Sequence, residues 1–261
     1  MQMKKTVQNL QVISNRRLNR DQSVLELKSA ISLANIEPGQ FGNILVDKSA
    51  NIFLRRPFSI YQVNYETSTI TFLIKGIGEG TNTLINTKAG DSLSVIFPLG
   101  KGFKSPDKKS KVLLVGGGVG VAALMILAGN LKKEGHQVEI LLGARSSDDL
   151  VELDTFARFG TVHTTTEDGS KGTKGFVTDH SLFKNEINTV DKIYTCGPDP
   201  MMKAVARIAA HNNISCEVSL ENTMACGYGV CLCCVTETVK GHRCVCTDGP
   251  VFDIKQLKWQ N

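Results

Sequence analysis

Of the eight cysteines in this 261-residue chain, none precedes Cys196 and six fall between Cys226 and Cys246. They read Cys226-Gly-Tyr-Gly-Val-Cys231-Leu-Cys233-Cys234, then Cys244-Val-Cys246. Cys226, Cys231 and Cys234 have the C-x4-C-x2-C spacing with which one loop wraps a 2Fe–2S cluster in three thiolates. Gly227 and Gly229 let the backbone come close and aim amide N–H groups at the sulfurs. A fourth thiolate must come from elsewhere. Cys244 and Cys246 are both within reach, and Cys246 is preferred because it opens the turn Thr247-Asp248-Gly249-Pro250. Cys233 and Cys244 are then small packing residues. The rival chemistry is a structural zinc, but zinc knuckles usually show C-x2-C twice, and here it occurs once, at Cys231 and Cys234. A disulfide framework belongs to small secreted domains and does not suit this chain.

Four further stretches could meet a phosphate or a ring. Lys111-Val-Leu-Leu-Val runs into Gly116-Gly117-Gly118-Val119-Gly120, a strand, a glycine turn and then a helix. That order places amide N–H groups and a positive helix end against a phosphate. Gly118-x-Gly120-x-x-Ala123 matches the dinucleotide fingerprint only in part, since Ala144-Arg145-Ser146 stands where an acidic residue would end the next strand. By itself a packing role is equally expected, and no Walker lysine is present. Cys196-Gly197-Pro198 follows a strand and opens a helix, at the carboxyl end where parallel sheets bind ligands; an ordinary strand-to-helix turn is the competing reading. In Arg55-Arg56-Pro57-Phe58-Ser59, Arg56 could pair with a phosphate. There Ser59 could hydrogen-bond a flavin ring nitrogen, with Pro57 and Phe58 beside the ring. Gly80-Thr81, shortly after, opens a short helix and is a possible pyrophosphate cradle.

These residues need a scaffold. Short apolar runs at 7–13, 23–27, 43–46, 58–63, 70–75 and 92–97 alternate with turn signals at 37–39, 47–51, 66–68 and 89–91. Even spacing of short strands predicts a small antiparallel barrel. The polar segment 104–110 reads as a linker. Beyond it, strands at 111–115, 138–142, 161–165, 192–195 and 215–220 alternate with helices at 121–133, 148–159 and 199–211. Alternation predicts a doubly wound parallel sheet. The stretch from residue 225 has too little apolar material for its own core. The expected fold class is therefore β plus α/β: a barrel over 1–103, a nucleotide-binding α/β domain over 104–215 and a small cluster-bearing subdomain over 216–261.

A net charge of +5 is too mild to argue for nucleic acid or an anionic membrane. The longest apolar stretch, 119–128, is far short of the roughly 18 residues of a membrane span. Residues 1–15 hold no signal-peptide core. The expected location is the cytoplasm.

Taken in order, R-P-F-S, G-x-G-E-G-T, G-G-G-V-G and C-G-P-x-x-M-M resemble the ferredoxin–NADP reductase superfamily over about residues 5–215. The segment M-A-C-G-Y-G-V-C, with S-L-E before it and C-x-D-G-P-V-F after it, extends the likeness over the whole chain. It is similar to the electron-transfer subunits of type B, NAD-linked dihydroorotate dehydrogenases. The resemblance implies FAD on Arg56, Pro57, Phe58 and Ser59, with Leu73, Ile74 and Lys75 along the ring and Gly80 and Thr81 at the pyrophosphate. It implies NADH on Gly117, Gly118 and Gly120, with Cys196, Gly197 and Pro198 near the nicotinamide. Ser59 and Cys196 would then stand beside the reacting atoms. The implied cluster ligands are Cys226, Cys231, Cys234 and Cys246; the extra thiol at Cys233 departs from the pattern. The implied partner is an FMN-containing catalytic subunit in a two-plus-two heterotetramer, because a dihydroorotate-oxidising barrel needs about 250 residues of its own. A related reductase serving a ferredoxin-, glutamate- or sulfur-linked enzyme shares these motifs. A nucleotide-binding regulatory module with a zinc-stabilised tail is the non-enzymatic alternative.

Overall fold

The computed structural model describes residues 5–46 and 52–259. The turn expected at 47–51 lies outside them. Six strands, β1 (Thr6–Arg17), β2 (Gln22–Lys28), β3 (Phe41–Ile44), β4 (Arg56–Asn64), β5 (Thr69–Lys75) and β6 (Ser92–Leu99), close into an antiparallel barrel in the order β1-β2-β5-β4-β3-β6. Alternation decides which side chains fill it. Leu25, Leu27, Ile70, Phe72 and Ile74 point inward, and helix α1 (Glu79–Ile85) adds Leu84 and Ile85 to the same cluster. Val24 and Leu73 point outward and pack with the second domain.

That domain is a seven-stranded sheet. Its parallel strands are β7 (Lys111–Gly117), β8 (Gln137–Ala144), β9 (Thr161–Thr166), β10 (Thr173–Lys174), β11 (Lys192–Cys196) and β12 (Ser215–Ser219), in the order β10-β9-β8-β7-β11-β12. Successive residues of β7 serve opposite faces. Val112 and Leu114 pack with Leu127 and Leu131 of α2 (Met125–Lys133), whereas Leu113 and Val115 share a cluster with Val205 and Ala209 of α5 (Asp199–His211). A strand covered on both faces reads as an unbroken apolar run, which is what 111–115 shows. The strand order reverses between β7 and β11, so their carboxyl ends form the crevice where such sheets take ligands.

Two helices differ from expectation. Residues 118–124 form a 3₁₀ turn, and regular helix begins only at Met125. The cause is Gly118 at φ +54, which winds the chain tightly off the strand. The helix expected at 148–159 is reduced to a 3₁₀ turn at Ser147–Asp149 and a short α3 (Leu153–Ala157). Between them Glu152 sits at φ +60, in the left-handed region that a side chain adopts only under compulsion. A short α4 (Ser181–Lys184) follows β10.

The tail takes its support from both domains. After the hairpin β13 (Val235–Thr238) and β14 (Gly241–Cys244), β15 (Val251–Asp253) pairs antiparallel with β12 and completes the sheet. The boundary expected between residues 215 and 216 thus falls inside a sheet strand, and the sheet runs on to Ser219. Phe41 and Leu99 of the barrel, Val218 of the sheet and Val245, Cys246 and Phe252 of the tail share one buried cluster. The 104–110 linker is anchored at its start. The Lys104 amide donates to Glu217 Oε2 at 3.0 Å, and its carbonyl accepts from the Tyr194 hydroxyl at 2.7 Å.

Glu152 holds the barrel to the sheet. Its carboxylate accepts from Arg16 of β1 at 2.7 Å, from the Tyr61 hydroxyl of β4 at 3.0 Å and from Thr155 at 2.9 Å. A bulge between Ile60 and Gln62 turns Tyr61 out of the barrel to make this contact. Burial pushes the Glu152 carboxyl up, but the donors from Arg16, Thr155 and Tyr61 outweigh it and hold it below the usual glutamate value. A depressed folded value means the stabilisation is complete above the unfolded glutamate value and is lost as pH falls through the folded one. Glu152→Gln should therefore cost about 2 kcal/mol near neutrality. Thermal melts of the two proteins should converge as the pH drops below the ordinary glutamate range.

Candidate functional site

At the crevice between β7 and β11, glycines let two backbones touch. A Cβ on Gly120 would lie 2.6 Å from the Cα and N of Gly197. One on Gly117 would meet Met201 Sδ at 2.6 Å and Pro198 Cδ at 2.8 Å, whereas Gly118 faces open space. Gly117 and Gly120 are thus brought together with Cys196, Gly197 and Pro198, although almost eighty residues of sequence separate them, and Gly118 between them borders open space. Met201, the first methionine of the C-G-P-x-x-M-M stretch, closes over Gly117 and Gly197, a role that its place in that motif alone could signal. Cys196 is buried and belongs to the same apolar cluster as the outward-facing barrel residues Tyr61 and Leu73. Burial, with Glu221 adding to it, pushes its thiol well up against the opposing Ser219 contact. It is a neutral, dry group and does not act as a thiolate nucleophile.

The barrel presents its candidate residues by strand parity. Pairing of β4 with β5 stops at Ile60–Phe72; beyond it, β4 continues against β3 and β5 against β2. The two strands splay, leaving the facing backbone of 57–59 and 73–75 free of strand partners from each other. Ser59 is half-buried and its hydroxyl has no hydrogen-bond partner among the described residues. The side chains of Phe58 and Ile74 pack on the barrel core, so only their backbone can face a ring in the splay. Leu73 and Lys75 point outward, with Lys75 between Asp21 at 3.6 Å and Asp149 at 3.8 Å.

Arg56 and Gly80 converge at the barrel's end. A Cβ on Gly80 would stand 3.5 Å from Arg56 Nε. The Arg56 guanidinium caps the Leu54 carbonyl at 2.9 Å and pairs with no acidic side chain among the described residues. It is left able to meet an anion. The Thr81 hydroxyl accepts from the amides of Ile77 at 2.9 Å and Gly78 at 3.1 Å, so it shapes the turn that presents Gly80. Arg55 plays a different part: it reaches across to the carbonyl and hydroxyl of Ser94 at 2.7 and 2.9 Å and ties β4 to β6.

The cysteine thiols meet as Cys226 with Cys231, and as Cys234 with both Cys246 and Cys244. Cys226 Sγ accepts from the amides of Tyr228 at 3.3 Å and Cys231 at 3.5 Å, and its thiol contacts that of Cys231. Cys234 Sγ accepts from the Cys246 amide at 3.4 Å and contacts the Cys246 thiol. Desolvation pushes the Cys226 thiol up, but the donors of Tyr228, Cys231 and Val230 outweigh it and bring it down to about 6. Burial and the neighbouring Cys234 push Cys246 up to about 12. Among the described residues no three Cys, His, Asp or Glu side chains stand ready around a single ion. Two pairs of thiols, served by amide donors, suit a binuclear cluster in which each iron takes one pair. Cys233 is exposed and only its amide, donating to Cys231 Sγ at 3.5 Å, takes part. The Cys244 thiol also contacts that of Cys234; what distinguishes Cys246 is its burial and its amide donated to Cys234 Sγ.

Comparison with known proteins supplies the family. Residues 221–258 match the iron–sulfur cluster binding domain of dihydroorotate dehydrogenase B, and residues 114–207 match the oxidoreductase NAD-binding domain. The dihydroorotate dehydrogenase B (NAD(+)) electron transfer subunit of Shouchella clausii is 36% identical, over 98% of this chain and 99% of that protein. The chain belongs to this family. Its counterpart in Caldanaerobacter subterraneus is 41% identical over 92% of this chain and 94% of the relative. A solved NADH-dependent reduced ferredoxin-NADP oxidoreductase superposes with TM-score 0.86 at 30% identity, covering 96% of this chain and 90% of that one. A ferredoxin reductase of carbazole 1,9a-dioxygenase, at 23% identity and TM-score 0.72, shares the fold. Across the family's cofactor crevice, the Gly120–Gly197 contact is the least forgiving point. Gly120→Ala should force the two turns apart, costing about 1–3 kcal/mol, and slow flavin bleaching by NADH in stopped flow while flavin content is kept.

Proposed function

We propose that this chain is the electron-transfer subunit that carries electrons between NADH and the FMN of a dihydroorotate dehydrogenase catalytic subunit, by way of FAD and a 2Fe–2S cluster. The overall reaction is the reversible oxidation of dihydroorotate to orotate with NAD as acceptor, a step of pyrimidine biosynthesis. The observation that carries this reading is the meeting of three sites at one junction: the glycine crevice, the splayed β4–β5 face and the paired cysteines. When bound, the flavin supplies the exchange between a two-electron hydride and the one-electron cluster.

The chain's own residues divide the work as follows. Arg56, with the backbone at Gly80 and Thr81, holds the FAD pyrophosphate. Pro57 and Ser59 face the ring with their side chains, and Phe58, Leu73, Ile74 and Lys75 border it with backbone. Gly117, Gly118 and Gly120 receive the NADH phosphates, and Gly197 and Pro198 leave room for the nicotinamide. Ser59 and Cys196 flank the reacting atoms and keep the place free of charge. Cys226 and Cys231 hold one iron, Cys234 and Cys246 the other. The division into a flavin barrel over 1–103, a nucleotide domain over 104–215 extended by the β12 strand, and a cluster segment beyond it follows these roles.

A catalytic partner is implied by the family. Val230 and Leu232 are 81% and 63% exposed on the cluster loop, which supports docking of that partner beside the cluster. We place the complex in the cytoplasm as a two-plus-two heterotetramer; among the described residues no helix is long and apolar enough to cross a membrane. A second reading, a subunit serving a ferredoxin-linked reductase, is favoured by the likeness to the ferredoxin-NADP oxidoreductase. Co-purification separates the two by the partner recovered.

Anaerobically purified protein should show flavin and iron–sulfur absorption that bleaches with NADH; a colourless, zinc-containing protein would sink the proposal. Cys234→Ser should lose the cluster and electron delivery to the partner while FAD is still reduced by NADH. Arg56→Ala should lose FAD on dialysis, with affinity falling about 10–100-fold as one charge-assisted phosphate contact disappears.

A further inference from the structure

Asn43 is a polar side chain where the fold offers it nothing to bond. It is fully buried, and among the described residues neither its Oδ1 nor its Nδ2 has a hydrogen-bond partner. Leaving both amide groups unpaired in the interior forfeits their hydration with nothing in return. Such a residue needs an explanation.

Its position supplies one. Phe41 and Asn43 lie on the outer face of β3, since a Cβ on the intervening Gly42 would strike Phe72 inside the barrel. Asn43 stands opposite Pro57 and Phe41 opposite Ser59. Asn43 therefore shares an outer face with the strand assigned above to the flavin. On its other side is the cluster loop. Asn43 Nδ2 is 3.0 Å from where a Cβ on Gly227 would be, and Gly227 at φ +74 follows directly on Cys226. The Asn43 carbonyl is steadied by Arg55 at 3.4 Å. An amide donor, dry and otherwise unpaired, is thus held against the turn that carries the first cluster cysteine.

We propose that Asn43 donates its side-chain N–H to the sulfur set of the 2Fe–2S cluster and raises the cluster's reduction potential. The inference rests on the cluster reading above. A donor to the sulfurs favours the reduced state, which carries one more negative charge, and hydrogen bonds to sulfur are among the levers that set such potentials. Asn43 is a positioning residue from the barrel that tunes a centre bound by the tail.

The test is a redox titration of the purified holoprotein, following the cluster by EPR and the flavin by absorbance. Asn43→Leu keeps the branched shape and removes the donor. It should retain iron and flavin, shift the cluster midpoint to more negative values and leave the flavin midpoint in place. Asn43→Asp should shift it further, because a carboxylate opposes reduction. An unchanged cluster midpoint with unchanged g values in Asn43→Leu, or a shift confined to the flavin, would overturn the proposal. If the variants fail to load iron, protein with wild-type Asn43, labelled with ¹⁵N-asparagine, decides; it carries Asn222→Gln, because Asn222, whose Nδ2 donates to the Val235 carbonyl at 3.4 Å, is an asparagine side chain on the cluster segment itself. Pulsed EPR of its reduced cluster should show a nitrogen coupling, and none would refute the assignment. A wild-type protein without iron–sulfur colour would instead overturn the cluster reading itself.

Discussion

The packing of Phe41 and Leu99 from the barrel, Val218 from the sheet, and Val245, Cys246 and Phe252 from the tail into a single buried cluster is what fixes the cysteines in space. The tail has two short hairpin strands and one edge strand, too little to exclude water alone. It borrows two surfaces instead. Pairing of β15 with β12 sets its register on the sheet, and Lys101, whose amide donates to the Gly249 carbonyl, pins its far turn to the end of the barrel. Because burial is proportional to area removed from water, neither surface alone would hold it. The cysteine positions are consequently set by the angle between barrel and sheet.

That angle is itself fixed by polar contacts placed at the rim of an apolar interface. Leu73, Val24 and Tyr61 meet the sheet domain as hydrophobic surface, and Glu152 gathers Tyr61 and Arg16 at the edge. The left-handed backbone at Glu152 is the local cost of that arrangement. The same loop leaves the carboxyl end of β8, beside the crevice where a dinucleotide would extend. The grip between the domains and the nucleotide loop are thus one segment of chain.

Much of this was legible in the residues. Six barrel strands followed from short apolar runs evenly spaced by turn signals, and the parallel sheet from the alternation of strand and helix. The C-x4-C-x2-C spacing is local, so a sequence displays it directly. What the sequence concealed depends on contacts between distant segments. Nothing near residues 148–159 announces that Glu152 will be drawn to Tyr61, and the expected helix breaks there. The grouping of Cys226 with Cys231 and of Cys234 with Cys246 needs the β13–β14 hairpin to fold back. Phe58 and Ile74 looked like ring-lining side chains until strand parity turned them into the barrel. Asn43 was readable only as a polar residue inside a short apolar strand.

The order of these parts along the chain has a consequence for how the protein is made. The barrel leaves the ribosome first and the sheet next, each able to bury its own core as it emerges. The cysteines come afterwards, and the surfaces that seat them, Asn43 and Leu99 on one side and Val218 on the other, are by then already built. The thiols therefore arrive at a finished bench. Iron can be delivered to a loop whose neighbours no longer move, which limits the chance that six nearby sulfurs are oxidised or mispaired before the metal is in place.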